Sequence, residues 1–212
     1  MEDLSAISYR IIHMNPEPIT AVTCVETFIN DTIPQKLVHL GALLISKEFN
    51  QVEDIGVGDP RFLFKSNKSI WELTDIVTPM LTDLSANMNQ MTAWIFSESE
   101  ILGKGTNFDT KSLPTLVKIQ EIKKNVGDFL EQIQQYSQKR SDLNSVYSGK
   151  PSVNSPKRSC EDLLRSIIQL DVSMFSRFSL CLIMICRSYN DISSLLEGIL
   201  KSWKKAQKDT GN

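Results

Sequence analysis

The chain has 212 residues, of which 41% are hydrophobic and 23% charged, and its formal net charge is −2. That length suits one domain, or two small ones, with a sizeable core. The near-neutral balance leaves no electrostatic footprint for nucleic acid or an acidic membrane, and the scattered Cys24, Cys160, Cys181 and Cys186, without CxxC spacing, point to reduced thiols rather than disulfides or zinc.

Residues 1–18 read as an N-terminal arm carrying Pro16 and Pro18. The opening "MEDLSAISYRIIH" is interrupted by charge and lacks the apolar stretch of a signal peptide. An intracellular protein is therefore expected, cytoplasmic and/or nuclear. The first helical stretch, about 19–48, carries Val22, Val25, Phe28, Ile29, Leu37, Leu40, Leu43 and Leu44, with Pro34 expected to break it. A connector with turn chemistry, "NQVEDIGVGDPRFLFKSN" (50–67), follows.

The second stretch, about 68–98, has the clearest period. Ile70, Leu73, Val77, Leu81, Leu84, Met88, Met91 and Ile95 recur every three to four residues, and Pro79 is expected to bend the helix. A connector over 99–111 precedes the third stretch, about 113–144. There Leu116, Ile119, Ile122, Val126, Phe129, Ile133 and Tyr136 form the stripe, with Ser112 as N-cap and Pro114 in the first turn. "SVYSGKPSVNSPKRS" (145–159) reads as a loop. The last stretch, about 159–206, has Leu163, Ile167, Leu170, Met174, Phe178, Cys181, Ile185 and Ile192 on one face, and at ~1.5 Å per residue it extends over roughly 65 Å. Its most apolar run, "FSLCLIMIC" (178–186), is too short to span a bilayer and reads as a buried segment. No alternating strand pattern of useful length occurs. The expected fold is all-α, an elongated four-helix bundle with a tail at 208–212.

Chemistry-bearing motifs are absent. "ILGKGTNFDT" (101–110) has two glycines and a lysine but fails the phosphate-binding pattern: Gly105 follows Lys104 where serine or threonine is required, and no strand precedes it. His13 and His39 have no acid or nucleophile at readable spacing. Glu98 with Glu100, and Glu53 with Asp54, read as solvated carboxylates. No catalytic residue, metal or cofactor is expected, and the chain does not read as an enzyme.

Four segments in order carry a family resemblance. They are "FINDTIPQKLVHLGALL" (28–44) with Pro34 and Lys36, "MTAWI" (91–95), "QIQQYSQKRSDL" (132–143), and "LDVSMFSRFSLCLIMICRSYNDI" (170–192) with Leu170, Asp171, Arg187 and Tyr189. Together the chain resembles a subunit of the 11S (REG) proteasome activators over most of residues 22–205. The resemblance implies a heptameric ring, homo- or hetero-, that docks on the alpha ring of the 20S proteasome and opens its gate without ATP. Counted from Trp94, Gly105, Asn107 and Phe108 fall on the core of the family's activation loop, so Lys104, Gly105, Thr106, Asn107, Phe108 and Asp109 are the implied contact segment. Phe108 is expected to anchor that loop on the bundle rather than to touch the partner.

The resemblance also implies docking through a C-terminal tail, here Lys208, Asp209, Thr210, Gly211 and Asn212. Three features depart from the family pattern. Gly103 and Lys104 replace an acidic pair, Asp109 replaces a glycine, and the chain ends on polar Asn212, either a short tail or a trimmed one. These departures keep open a second reading, a helical scaffold or adaptor of the same fold that does not stimulate proteolysis.

Overall fold

The protein is described from a computed structural model over residues 22–46, 68–102, 107–147 and 160–210. The arm 1–18, the connector 50–67 and residues 148–159 lie outside the described residues. Among the described residues there are four helices and no strand, so the all-α bundle is observed. Helix α1 covers 22–44 as three consecutive pieces: Val22–Thr27, a π turn Phe28–Thr32, and Ile33–Leu44. Helix α2 is Lys68–Leu102, α3 is Asn107–Tyr147 and α4 is Cys160–Thr210.

Pro34 and Pro114 behave differently from the expectation. Pro34 does not break α1. It stands at the second position of the piece that begins at Ile33, directly after the π turn, where the Ile33 N–H donates to the Phe28 carbonyl five residues back. A proline ring collides with the carbonyl four residues before it and offers no N–H. A turn widened by one residue relieves the collision while keeping the chain helical. Pro79 lies within a continuous α2. Pro114 lies within α3, and Ser112 is no N-cap: it is buried inside the helix, its hydroxyl donating to the Phe108 carbonyl at 2.8 Å.

The helices pack as an up-and-down bundle. Every residue of the α2 stripe read from the sequence is buried, joined by Ile76, Met80 and Trp94. In α3, Ile119, Ile122, Val126, Phe129 and Tyr136 are buried; in α4, Leu163, Ile167, Met174, Phe178, Cys181, Ile185 and Ile192 are. Each large apolar side chain so placed contributes about 1.5–3 kcal/mol over its exposed state. Phe129 meets Phe178 edge-on at 5.9 Å, tying α3 to α4. A second cluster around Leu163 and Ile167, with Leu143 and Val146, joins the end of α3 to the start of α4. By length and composition alone, α4 contains an 18-residue window apolar enough to cross a membrane. Its run 178–186 is packed on one face, where Phe178, Cys181, Leu182 and Ile185 are buried, while Leu180 and Ile183 on the other face are exposed. Burial pushes the Cys181 thiol up, so it stays protonated, and Cys24, Cys181 and Cys186 are free.

Two polar clusters cross the core. In the first, the wholly buried Lys36 of α1 donates to Asp83 Oδ2 of α2 at 2.6 Å, and the same oxygen accepts from the Tyr189 hydroxyl of α4 at 2.9 Å and from Asn87 Nδ2 at 3.2 Å. The Lys36 ammonium also sits 5.9 Å from the centre of the Tyr189 ring, within cation–π range. Burial, then the charge of Asp83, holds the Tyr189 phenol well above its ordinary range, so it remains a donor. In the second, the Tyr136 hydroxyl of α3 donates to Asp171 Oδ1 of α4 at 2.8 Å, and Arg140 Nε approaches the same oxygen at 3.2 Å. Burying a charge is tolerated only when it is paired and hydrogen-bonded. These carboxylates therefore fix the relative registers of helices that apolar stripes alone would allow to slide.

Candidate functional site

One end of the bundle gathers the end of α2, the start of α3, the end of α4 and the start of α1. The connector between α2 and α3 is shorter than the expected 99–111. Residues 99–102 close α2 and 107–111 open α3, leaving 103–106 between them. The reason lies in Phe108. Its ring is fully buried and meets Trp94 edge-on, with centroids 6.1 Å apart and planes at 85°. Seating that ring in the core draws the turn around it into α3, and the Ser112 hydroxyl on the Phe108 carbonyl fastens the same turn. Aromatic pairs of this geometry add about 0.5–1.5 kcal/mol beyond their buried area.

Of the implied contact segment, Lys104, Gly105 and Thr106 lie outside the described residues. Asn107 is the first residue of α3, Phe108 lies in the core, and Asp109 is exposed in the first turn, where a negative charge complements the helix dipole. The connector thus joins two packed feet with four residues between them. Several large apolar side chains are exposed near these feet: Phe96 and Ile101 on α2, and Leu113 with Val117 one turn apart on α3.

The end of α4 is braced beside the connector. The Trp203 indole N–H donates to Glu98 Oε2 of α2 at 2.7 Å, and Lys204 Nζ pairs with Glu26 of α1 at 2.5 Å. Glu98, read from the sequence as a solvated carboxylate, is therefore a hydrogen-bond acceptor for another helix. The tail expected at 208–212 begins as helix: Lys208 is exposed, Asp209 and Thr210 complete α4, and Gly211 and Asn212 lie outside the described residues. Connector and tail consequently leave the same end, on helices tied to one another. His39 lies within α1, half-buried; His13 lies outside the described residues. Among the described residues no three His, Cys, Asp or Glu side chains are grouped as metal ligands would be.

The interhelical polar residues were the part that stripe reading missed. Asp83 and Asn87 fall between apolar positions of α2 and look like surface residues by period. Lys36, Tyr136, Asp171 and Tyr189 lie within the segments that carried the resemblance, and the structure places all four in the buried clusters.

A family model described as "Proteasome activator PA28, C-terminal" matches residues 63–212. No curated protein matches the chain. Among solved structures, the chain is similar to the 11S subunit of the Plasmodium falciparum proteasome, PA28. The likeness has a TM-score of 0.65 over 97% of this chain and 92% of that one, at 13% identity. At that identity the likeness is one of fold.

Proposed function

The chain belongs to the PA28, or 11S (REG), family of proteasome activators, and from that premise we propose that it is an ATP-independent activator of the 20S proteasome. In this reading the protein is a regulator without chemistry of its own. It assembles as a heptamer, seats on the alpha ring and opens the gate for peptide entry and exit, in the cytoplasm or the nucleus. The observation that carries the reading is the convergence at one end: a short connector with both feet anchored, beside the braced end of α4.

A division of labour follows. Tails on one ring bind together, and once the first engages, the others experience a high effective concentration, so individually weak tails suffice. The connectors, held on a rigid bundle, shift the partner's gate. Latent 20S proteasome mixed with the purified protein, without nucleotide, is expected to hydrolyse short peptides faster, and native mass is expected to show seven copies. No stimulation from an intact heptamer would instead favour the scaffold reading, for which Lys104 and Asp109 speak.

Deleting 208–212 leaves the buried Ala206 and the Trp203–Glu98 bond in place. We expect that truncation to weaken association with the proteasome by about tenfold or more, ~1.4 kcal/mol, while the ring still forms. A truncated ring that binds as tightly as the full chain would remove the tail from the mechanism.

A further inference from the structure

A groove of about 320 Å³ opens between the start of α3 and the end of α4, lined by Thr110, Lys111, Lys201, Ser202 and Lys205. All three lysines are exposed, none of the lining residues is acidic, and among the described residues none of the three is ion-paired. The Ser202 hydroxyl donates to the Gly198 carbonyl at 3.1 Å, so the charged groups lining the groove are the three ammonium groups.

Helix stability does not account for this arrangement. A lysine opposes the helix dipole usefully only within the last turn. Lys201 stands nine residues before Thr210, the end of α4. Lys111 is the fifth residue of α3, near the end of a helix that favours negative charge. In a chain of net charge −2, three cations from two helices face one cleft. By contrast Lys204, in the same stretch of α4, is paired with Glu26.

We infer that this groove receives carboxylate-bearing side chains of the protein face on which the assembled ring seats. The inference rests on the docking reading given above. The groove lies at the connector end, next to Asp109 and about one to two turns before the tail, so any face that meets connector and tail meets the lysines as well. Rim charges of this kind chiefly accelerate encounter and make it salt-dependent, with smaller effects on the locked complex. Repeated around a ring, the groove presents a circle of positive charge that orients the ring before the tails engage.

The test is the triple variant Lys111→Glu/Lys201→Glu/Lys205→Glu, with Lys→Gln at the same positions as the neutral counterpart, measured on immobilised 20S proteasome at low and at moderate salt. The association rate at low salt is expected to fall by about tenfold or more, with the neutral variant intermediate. The salt dependence should flatten, and stimulation at saturating ring should be retained. Association at the wild-type rate with unchanged salt dependence overturns the inference. So does a charge-reversed chain that no longer forms rings by native mass, since the groove would then be a contact between copies. If the wild-type ring itself fails to associate with the proteasome, it is the docking reading that falls, and the groove's role in docking falls with it.

Discussion

A ring made from the Asn107→Tyr variant is expected to bind the 20S proteasome with wild-type affinity and to stimulate peptide hydrolysis at least about tenfold less, a loss of ~1.4 kcal/mol in the coupling between docking and gate opening. Asn107 is the first residue of α3, and the residue after it is the buried Phe108. Asparagine suits a helix start because its short amide side chain can hydrogen-bond nearby backbone and tolerates the unusual conformations found there. Tyrosine offers neither property and adds an aromatic ring to the segment proposed to meet the proteasome. The bundle beneath should not register the change. Phe108 remains against Trp94, Ser112 remains on the Phe108 carbonyl, and the Trp203–Glu98 brace holds the end of α4 in place. Binding and stimulation are therefore separable at this residue. Parallel measurement of ring binding and of peptide hydrolysis at saturation decides the matter. A variant that stimulates normally removes the connector from the mechanism, and one that no longer binds shows that connector and tail do not divide the labour.

Apolar period alone was enough to find the four helices, because a long amphipathic helix repeats its signal many times. The residues Ile70, Leu73, Val77, Leu81, Leu84, Met88, Met91 and Ile95 span seven turns, and all are buried. Helix ends were less legible because they are decided by single contacts. Pro114 and Ser112 imitate a helix start, yet α3 begins five residues before Ser112, at Asn107, since the burial of Phe108 against Trp94 outweighs the bond that Pro114 removes. Pro34 imitates a break, yet one widened turn accommodates it. The buried polar clusters were invisible to period for a different reason. Asp83 is legible as a core residue only once Lys36, 47 positions earlier, and Tyr189, 106 positions later, are known to meet it. The family resemblance pointed at Lys36 and Tyr189 without saying why they mattered, and their shared carboxylate supplies the reason.

That shared carboxylate also yields the largest expected effect on stability. Replacing Lys36 by alanine leaves Asp83 with two neutral donors and no counter-charge, in a place where its side chain is only 12% exposed. Breaking a buried pair from one side typically costs about 3–5 kcal/mol. For a chain of this size each kcal/mol moves Tm by roughly 2–4 °C, so a fall on the order of 10 °C is expected. The double variant Lys36→Met/Asp83→Leu removes both charges together with the penalty for burying them, and it is expected to recover most of the loss, as apolar replacements of buried pairs often do. Asn87 Nδ2 can still donate to the Tyr189 hydroxyl in that variant, as it does now at 3.3 Å. Thermal unfolding must be compared at one protein concentration, since assembly stabilises the folded subunit by mass action. A single variant that costs under about 1 kcal/mol, or a double variant as damaged as the single, would show that the pair does not carry this load. The comparison reaches beyond stability. Lys36, Asp83 and Tyr189 join α1, α2 and α4, the helices that bring Glu26, Glu98 and Trp203 to the connector end of the bundle. The double variant, if stable but free to slide in register, should stimulate the proteasome less than its Tm alone would suggest.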